Sequence, residues 1–315
     1  MATSKITNYD SADPAVTVNY NKPSDAAKII DTQDINYLNY DRYGNAWNQN
    51  ILTTSEEIDG TKTYIYKTIA NTYDNKIAQM KGNSKTSETI KYSGTAVIET
   101  NLIEKTVTTT DKYDLKGNAE DQTTETSVYN SSHEPILQKV VTVHNENIDA
   151  RGDAHMQYIT TSETDKDGLN PEVTSYQVIE NRAFDLSHNV KNQKIVTYTD
   201  AAKTELKDVQ EIRSACFTSS GTAIEQSIAT YSALTMTASD FIEAKYIFNE
   251  TVGSQGNVGK STITTYSAAT LESGNGNIVL SDVSAVTKQT IITTRFDLRG
   301  NSTSPKRPTS KEPIK

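Results

Sequence analysis

Several groups of residues in this chain have types and spacings that could do chemistry. Gly253, Gly256, Gly259, Lys260 and Ser261 approach a phosphate-binding loop, in which a glycine stands five positions before Gly-Lys-Ser. Ser254 occupies the place of that first glycine. The residues that follow, Thr262-Ile263-Thr264-Thr265-Tyr266, read as a strand, whereas a phosphate needs a helix N-terminus. A glycine-rich hairpin is expected there. Glu163-Thr164-Asp165-Lys166-Asp167-Gly168 has the acid density of a calcium loop. Its twelfth position, which should carry a bidentate acid, is Thr174, and Glu172 falls two short, so a polar turn is expected. Arg151-Gly152-Asp153 is an integrin-type tripeptide, but it lies where turn residues recur in this chain. His133, His144, His155 and His188 are scattered, with His133 and His188 in turn-like contexts, and their spacing suggests no catalytic triad. Cys216, between Ala215 and Phe217, reads as a small buried hydrophobe. A glycosidase-like site would need two acids facing each other across a gap of about 5 to 10 Å, and 40 acidic residues offer no basis for choosing a pair. No catalytic, cofactor-binding or metal-ligating residue is therefore assigned, and the chain is read as non-enzymatic.

The elements that would have to position such groups are thin ones. Hydrophobic residues make up 35% of the 315, which is low for a thick core, while 23% charged residues and 17 tyrosines argue against simple disorder. The net charge of -9 repels nucleic-acid phosphates, and no basic stripe reverses it, so no nucleic-acid partner is expected. One cysteine excludes an internal disulfide and a multi-cysteine metal site. No run of about 18 apolar residues exists to span a membrane as a helix. The opening Met-Ala-Thr-Ser-Lys-Ile-Thr-Asn-Tyr-Asp has no apolar stretch of the kind a cleavable leader carries.

The organisation is repetitive. Tyr40-Asp41-Arg42-Tyr43-Gly44-Asn45, Tyr113-Asp114-Leu115-Lys116-Gly117-Asn118 and Phe296-Asp297-Leu298-Arg299-Gly300-Asn301 are clear copies of one mark. Ile148 to Asp153 and Phe184 to Asn189 are weaker copies, Phe217 to Thr222 is degraded, and Tyr73-Asp74 begins another. From Tyr40 to Tyr73 is 33 residues, and the marks at 113, 148, 184 and 217 follow one another at 35, 36 and 33. Asp at the second position can accept from backbone amides two residues on, and Gly or Asn tolerates positive φ, so each mark is a turn. A second series, beginning at Tyr129, Tyr198, Tyr231 and Tyr266, falls about halfway between marks. The unit is thus strand, turn, strand, turn. The segments between, such as 139–143, 261–266 and 289–296, are rich in β-branched and aromatic residues. Short helices are conceivable only at Ser24 to Ile30 and at Ala238 to Tyr246.

The Tyr-Asp-x-x-Gly-Asn marks at 40–45 and 113–118, with the Phe-Asp relative at 296–301, resemble the YD repeats of the RHS family over roughly residues 37–301. That resemblance implies long antiparallel strands coiling into a β-sheet wall or shell. It also implies roles at bacterial surfaces, in adhesion or in carbohydrate contact. Gly-Asn stands here where the family often has Gly-Arg, and several copies lack the Asp or the Gly.

The expected fold is all-β, a repetitive antiparallel strand-turn array, extended or coiled and solenoid-like. Residues 1–36 are read as a cap or irregular segment, 37–301 as the array with a unit of about 36 residues, and 302–315 as a flexible Pro/Lys-rich tail. The expected function is structural, as a scaffolding segment of a long surface or secreted protein. The rivals are a carbohydrate- or protein-binding module that uses surface Tyr and Thr, and a carbohydrate-active β-solenoid enzyme. In-register tyrosines on one sheet face would favour binding. Strands this polar leave open edges, and the last one, 289–298, is expected to be exposed to self-association or to continuation into further chain.

Overall fold

The computed structural model describes residues 2–10, 28–56, 61–253, 256–273, 275–293 and 308–313. Seventeen strands form one antiparallel sheet. In chain order they are β1 (Ala2–Asp10), β2 (Lys28–Tyr40), β3 (Ala46–Glu56), β4 (Lys62–Thr72), β5 (Thr86–Ser93), β6 (Leu102–Tyr113), β7 (Ala119–Tyr129), β8 (Pro135–Ile148) and β9 (Ala154–Glu163). They continue as β10 (Glu172–Phe184), β11 (Val190–Tyr198), β12 (Leu206–Phe217), β13 (Ala223–Tyr231), β14 (Phe241–Val252), β15 (Val258–Tyr266), β18 (Ala285–Ile292) and β19 (Pro308–Pro313). Each strand pairs with the next, and β15 pairs with β18. No pairing among the described residues joins β1 to β19, so the sheet is an open meander. The short strands β16 (Ala269–Leu271) and β17 (Ile278–Leu280) form a separate hairpin inserted between β15 and β18.

The marks are the turns along one edge of this sheet. Asp114 accepts from the backbone N–H groups of Lys116, Gly117 and Asn118, each at 2.8 Å, and from Asn118 Nδ2 at 2.9 Å. Asp41 and Asp185 make the same brackets with Asn45 and Asn189. The Asn118 and Asn189 amides hold the Asp114 and Asp185 carboxyls below the ordinary carboxylate range, against the opposing effect of desolvation. Gly44, Gly117 and Gly152 lie in these turns with φ of +90°, +100° and +93°. Phe296, Asp297, Gly300 and Asn301 lie outside the described residues.

Successive turns also touch one another. The Asn that closes one turn points its Oδ1 at the glycine of the next: a Cβ on Gly82 would lie 3.3 Å from Asn45, one on Gly117 3.0 Å from Asn83, and one on Gly152 3.0 Å from Asn118. Basic residues reach onward in the same way, with Lys81 Nζ donating to Leu115 O at 2.8 Å and an Arg151 guanidinium N–H donating to Asp185 O at 2.7 Å. At one joint both partners change together. His188 replaces the glycine, Asp153 replaces the Asn, and the contact becomes a 2.6 Å hydrogen bond between His188 Nδ1 and Asp153 Oδ1. Glycine thus recurs here for a steric reason as well as a conformational one.

The two sheet faces differ. One carries side-chain amides in chains: Gln157 donates to Asn145, Asn181 to Gln157 and Gln193 to Asn181, at 2.9, 3.0 and 2.7 Å. Asn71, Asn145, Asn181 and Asn249 each also donate to the carbonyl of an alanine that begins a strand. Alternation along each strand puts the other set of side chains on the opposite face. There Val196, Val209, Ala229, Tyr231, Ala244 and Tyr266 form the main apolar cluster, with Ile278 of β17 packed onto it. The β16–β17 hairpin therefore folds back over this face. It is tied down by Arg213 Nε donating to Gly276 O at 2.8 Å and Asn192 Nδ2 donating to Asn275 O at 2.7 Å. Beneath it lies Glu211, fully buried, bonded to Arg182 at 2.8 and 3.2 Å and to Arg213 at 3.0 Å.

Four expectations need correction. Residues 2–10 and 28–36 are strands, and Pro308–Pro313 forms β19 on β18, so the array extends beyond 37–301 at both ends. The edge after β18 is accordingly covered by the tail, whose two terminal prolines lack N–H donors and blunt the new edge. The conceivable helix at Ala238 to Tyr246 is instead the start of β14 from Phe241, and of the one at Ser24 to Ile30 only Lys28 to Ile30 are described, as part of β2. The helix that does form, α1 (Lys76–Lys81), sits inside the Tyr73-Asp74 mark. Asn75 caps it by accepting from Ile77 and Ala78, Gly82 ends it in the left-handed conformation, and Gly82-Asn83 completes the interrupted mark. Cys216 is exposed, because its φ of +54° breaks the β12–β13 pairing between Ala215 and Phe217 and turns the side chain outward.

Candidate binding face

The face that carries the apolar cluster continues toward the middle of the sheet, where no described element packs over it. Strand register places Thr86, Thr109, Thr123, Thr142, Thr160, Tyr176 and Tyr198 in one row across seven strands. Directly opposed residues share a face, so these side chains stand side by side at the strand spacing of about 4.8 Å. The adjacent row runs Asp121, His144, Tyr158, Val178 and Val196, and so enters the apolar cluster.

Aromatic side chains concentrate where the two rows meet the hairpin. The Tyr176 and Tyr198 rings lie 6.5 Å apart between centroids, and His144 stacks on Tyr158 at 5.8 Å. The Lys203 ammonium, from the turn between β11 and β12, sits 5.4 Å from the Tyr176 centroid and 6.0 Å from that of Tyr158. His144 Nδ1 contacts Asp121 at 2.5 Å, its Nε2 contacts Glu146 at 3.2 Å, and Tyr158 OH donates to Glu146 at 3.3 Å. The Asp121 hydrogen bond raises the His144 pKa, with desolvation opposing it and Glu146 adding to it. Desolvation and the Glu146 charge raise that of Tyr158, which stays a neutral phenol. An open cavity of about 480 Å³ lies here, lined by Asp121, Thr142, His144, Tyr158, Thr160 and Tyr176 among others. A second, of about 360 Å³, lies beside the hairpin between Asn192, Arg213, Glu225, Tyr246 and Asn277.

Asp121 and Glu146 form one candidate acid pair, but both are tied to the His144 imidazole between them. A substrate bond would have to occupy that space. Among the described residues, no group of three or more His, Cys, Asp and Glu side chains is placed to hold a metal. No described helix is long and apolar enough to cross a membrane.

The other sequence motifs resolve into turns. Gly253 and Gly256 begin a hairpin whose next element is β15, a strand; residues 254 and 255 lie outside the described set. Asp165 spends its oxygens on the N–H groups of Asp167 and Leu169 and on Asn170 Nδ2, closing the β9–β10 turn. Asp153 of the Arg-Gly-Asp tripeptide is buried against His188, which leaves no free carboxylate for a receptor. His133 and His188 occupy turns with φ of +60° and +67°, as their contexts suggest. The Tyr158–His144 juxtaposition was not readable from sequence, since it depends on register between strands. The chain matches no protein-family model, and no curated protein matches it in sequence.

Proposed function

We propose that this chain is a non-enzymatic scaffolding segment of a surface or secreted protein, a YD-like β-repeat array that works by length, stiffness and surface. The observation that supports it is the stacking of turn on turn along one sheet edge, which makes each unit lean on its neighbours as in other one-dimensional repeat proteins. The Tyr-Asp-x-x-Gly-Asn resemblance to the RHS family agrees with this reading. A modular array tolerates loss of a unit. Deleting residues 114–148, so that Tyr113 runs directly into Asp149, removes one turn-to-turn unit of 35 residues. The shortened chain is expected to stay soluble, keep a β-type circular dichroism spectrum and melt in one transition. Aggregation or loss of the spectrum would mean that the units are not interchangeable and that the scaffold reading fails.

A second reading is favoured by the Thr–Tyr row. Tyrosines in register on one face, beside hydroxyls at regular spacing, suit contact with a glycan, where rings stack on sugar faces and hydroxyls pair with hydroxyls. In this reading the scaffold also serves as an adhesin-like display surface.

A further inference from the structure

The aromatic centre of this face already holds a cation. Ammonium groups are attracted to the face of an aromatic ring within about 6 Å of its centroid. Lys203 Nζ lies 5.4 Å from Tyr176 and 6.0 Å from Tyr158, so one ammonium is shared by two rings. Lys203 is itself exposed, sits in a turn with φ of +60°, and makes no ion pair with any described carboxylate. It is therefore a displaceable occupant rather than a structural bond. Asp111 and Asp121 line the same cavity, and Glu146 accepts from the Tyr158 hydroxyl at its margin. Asp111 is already paired with Lys85 at 2.8 Å and Asp121 and Glu146 with His144, so it is the net charge of -9 over the chain that favours a positive ligand at longer range.

We propose that the Tyr158–Tyr176 pair is a subsite for a protonated amine carried on a sugar, so that the face prefers hexosamine oligomers, and that Lys203 fills the subsite until such a ligand displaces it. This rests on the glycan-contact reading above and specifies its ligand class. The adjacent Thr123, Thr142 and Thr160 side chains meet the sugar hydroxyls. The cavity of about 480 Å³ is within the size range of small-ligand sites. A basic peptide would use the rings and acids but leave the threonine row without partners.

Calorimetric titration with matched-length oligomers separates the two levels of the claim. Glucosamine oligomers, at mildly acidic pH where their amines carry protons, are compared with neutral N-acetylglucosamine oligomers. The glucosamine series is expected to bind more tightly. Lys203→Met is expected to tighten it further by about two- to fivefold, the worth of removing one exposed cation–π competitor. Tyr176→Ala is expected to weaken it about tenfold or more; Tyr176→Leu, with an unchanged circular dichroism spectrum, guards against a folding defect. Equal binding of both series would keep the glycan reading and overturn the amine preference. Binding of neither would overturn both readings. An unchanged affinity in Lys203→Met would overturn the role given to Lys203. Tetralysine binding as tightly as the glucosamine oligomer would overturn the sugar in favour of a peptide.

Discussion

Glu211→Ala is expected to destabilise the protein by about 3–5 kcal/mol, the range for removing one partner from a buried ion pair. Glu211 is fully buried, while the Arg182 and Arg213 side chains are 13% and 12% exposed. Taking the carboxylate away leaves two guanidinium groups close together under the β16–β17 hairpin with only the half-exposed Glu180 carboxylate to compensate them. Arg182 retains Glu180 at 2.8 Å, and Arg213 retains the carbonyl of Gly276, so the loss is partial rather than complete. Because Arg213 also anchors the hairpin, its freed charge should loosen the cover over Val209, Ala229 and Tyr231. Chemical denaturation of the variant and parent measures this. A loss under about 1 kcal/mol would place the network at the surface value of an ion pair and contradict its burial.

Gly117→Val is expected to cost more than Gly44→Val, although both residues have strongly positive φ. The backbone term is common to both, about 1–2 kcal/mol for forcing a side chain into the left-handed region. At Gly44 nothing lies within 4 Å of an added Cβ, so that term stands alone. At Gly117 the Cβ meets Asn83 Oδ1 at 3.0 Å, and displacing the Asn adds about 1 kcal/mol or more of overpacking. Thermal melts of the two variants give the comparison directly. Equal losses would show that turn-to-turn contact contributes nothing and that glycine recurs for conformation alone.

What could be read from sequence was what is local. An Asp that brackets its own turn and a Gly with positive φ leave their trace within six residues, so the marks at 40, 113, 148, 184 and 217 were visible, as were the strands between them. The helix α1 escaped because it splits its mark, separating Tyr73-Asp74 from Gly82-Asn83. The amide ladder had a trace that can now be recognised. Gly-Asn-Ala-x-x-Gln recurs at 44–49 and 117–122, with variants at 152–157, 188–193 and 221–226. The Gln bonds across strands to an Asn in two of these copies, at Gln157 and Gln193, and to Thr110 or Ser214 in two more, at Gln122 and Gln226. The covering hairpin 267–284 and the Tyr158–His144 pair left no such trace, because both depend on which strands face each other and in what register. Cys216 misled for the same reason, since flanking apolar residues do not report a local reversal of φ.

The central claim is that units stack turn on turn in a single sheet, and spin-label distances along the marked edge test it most directly. With Cys216→Ser removing the exposed native thiol, labels are attached at Leu115→Cys, Leu186→Cys and Ser219→Cys, the first two replacing side chains 95% and 93% exposed. These turns join β6–β7, β10–β11 and β12–β13, so four and six strand spacings separate them. At about 4.8 Å per strand the separations are about 19 Å for the 115–186 pair and about 29 Å for the 115–219 pair, before the label arms. The account predicts distances that rise with strand number in this way. A 115–219 distance equal to or shorter than the 115–186 distance, or distributions too broad to order, would contradict a continuous sheet with a stacked edge.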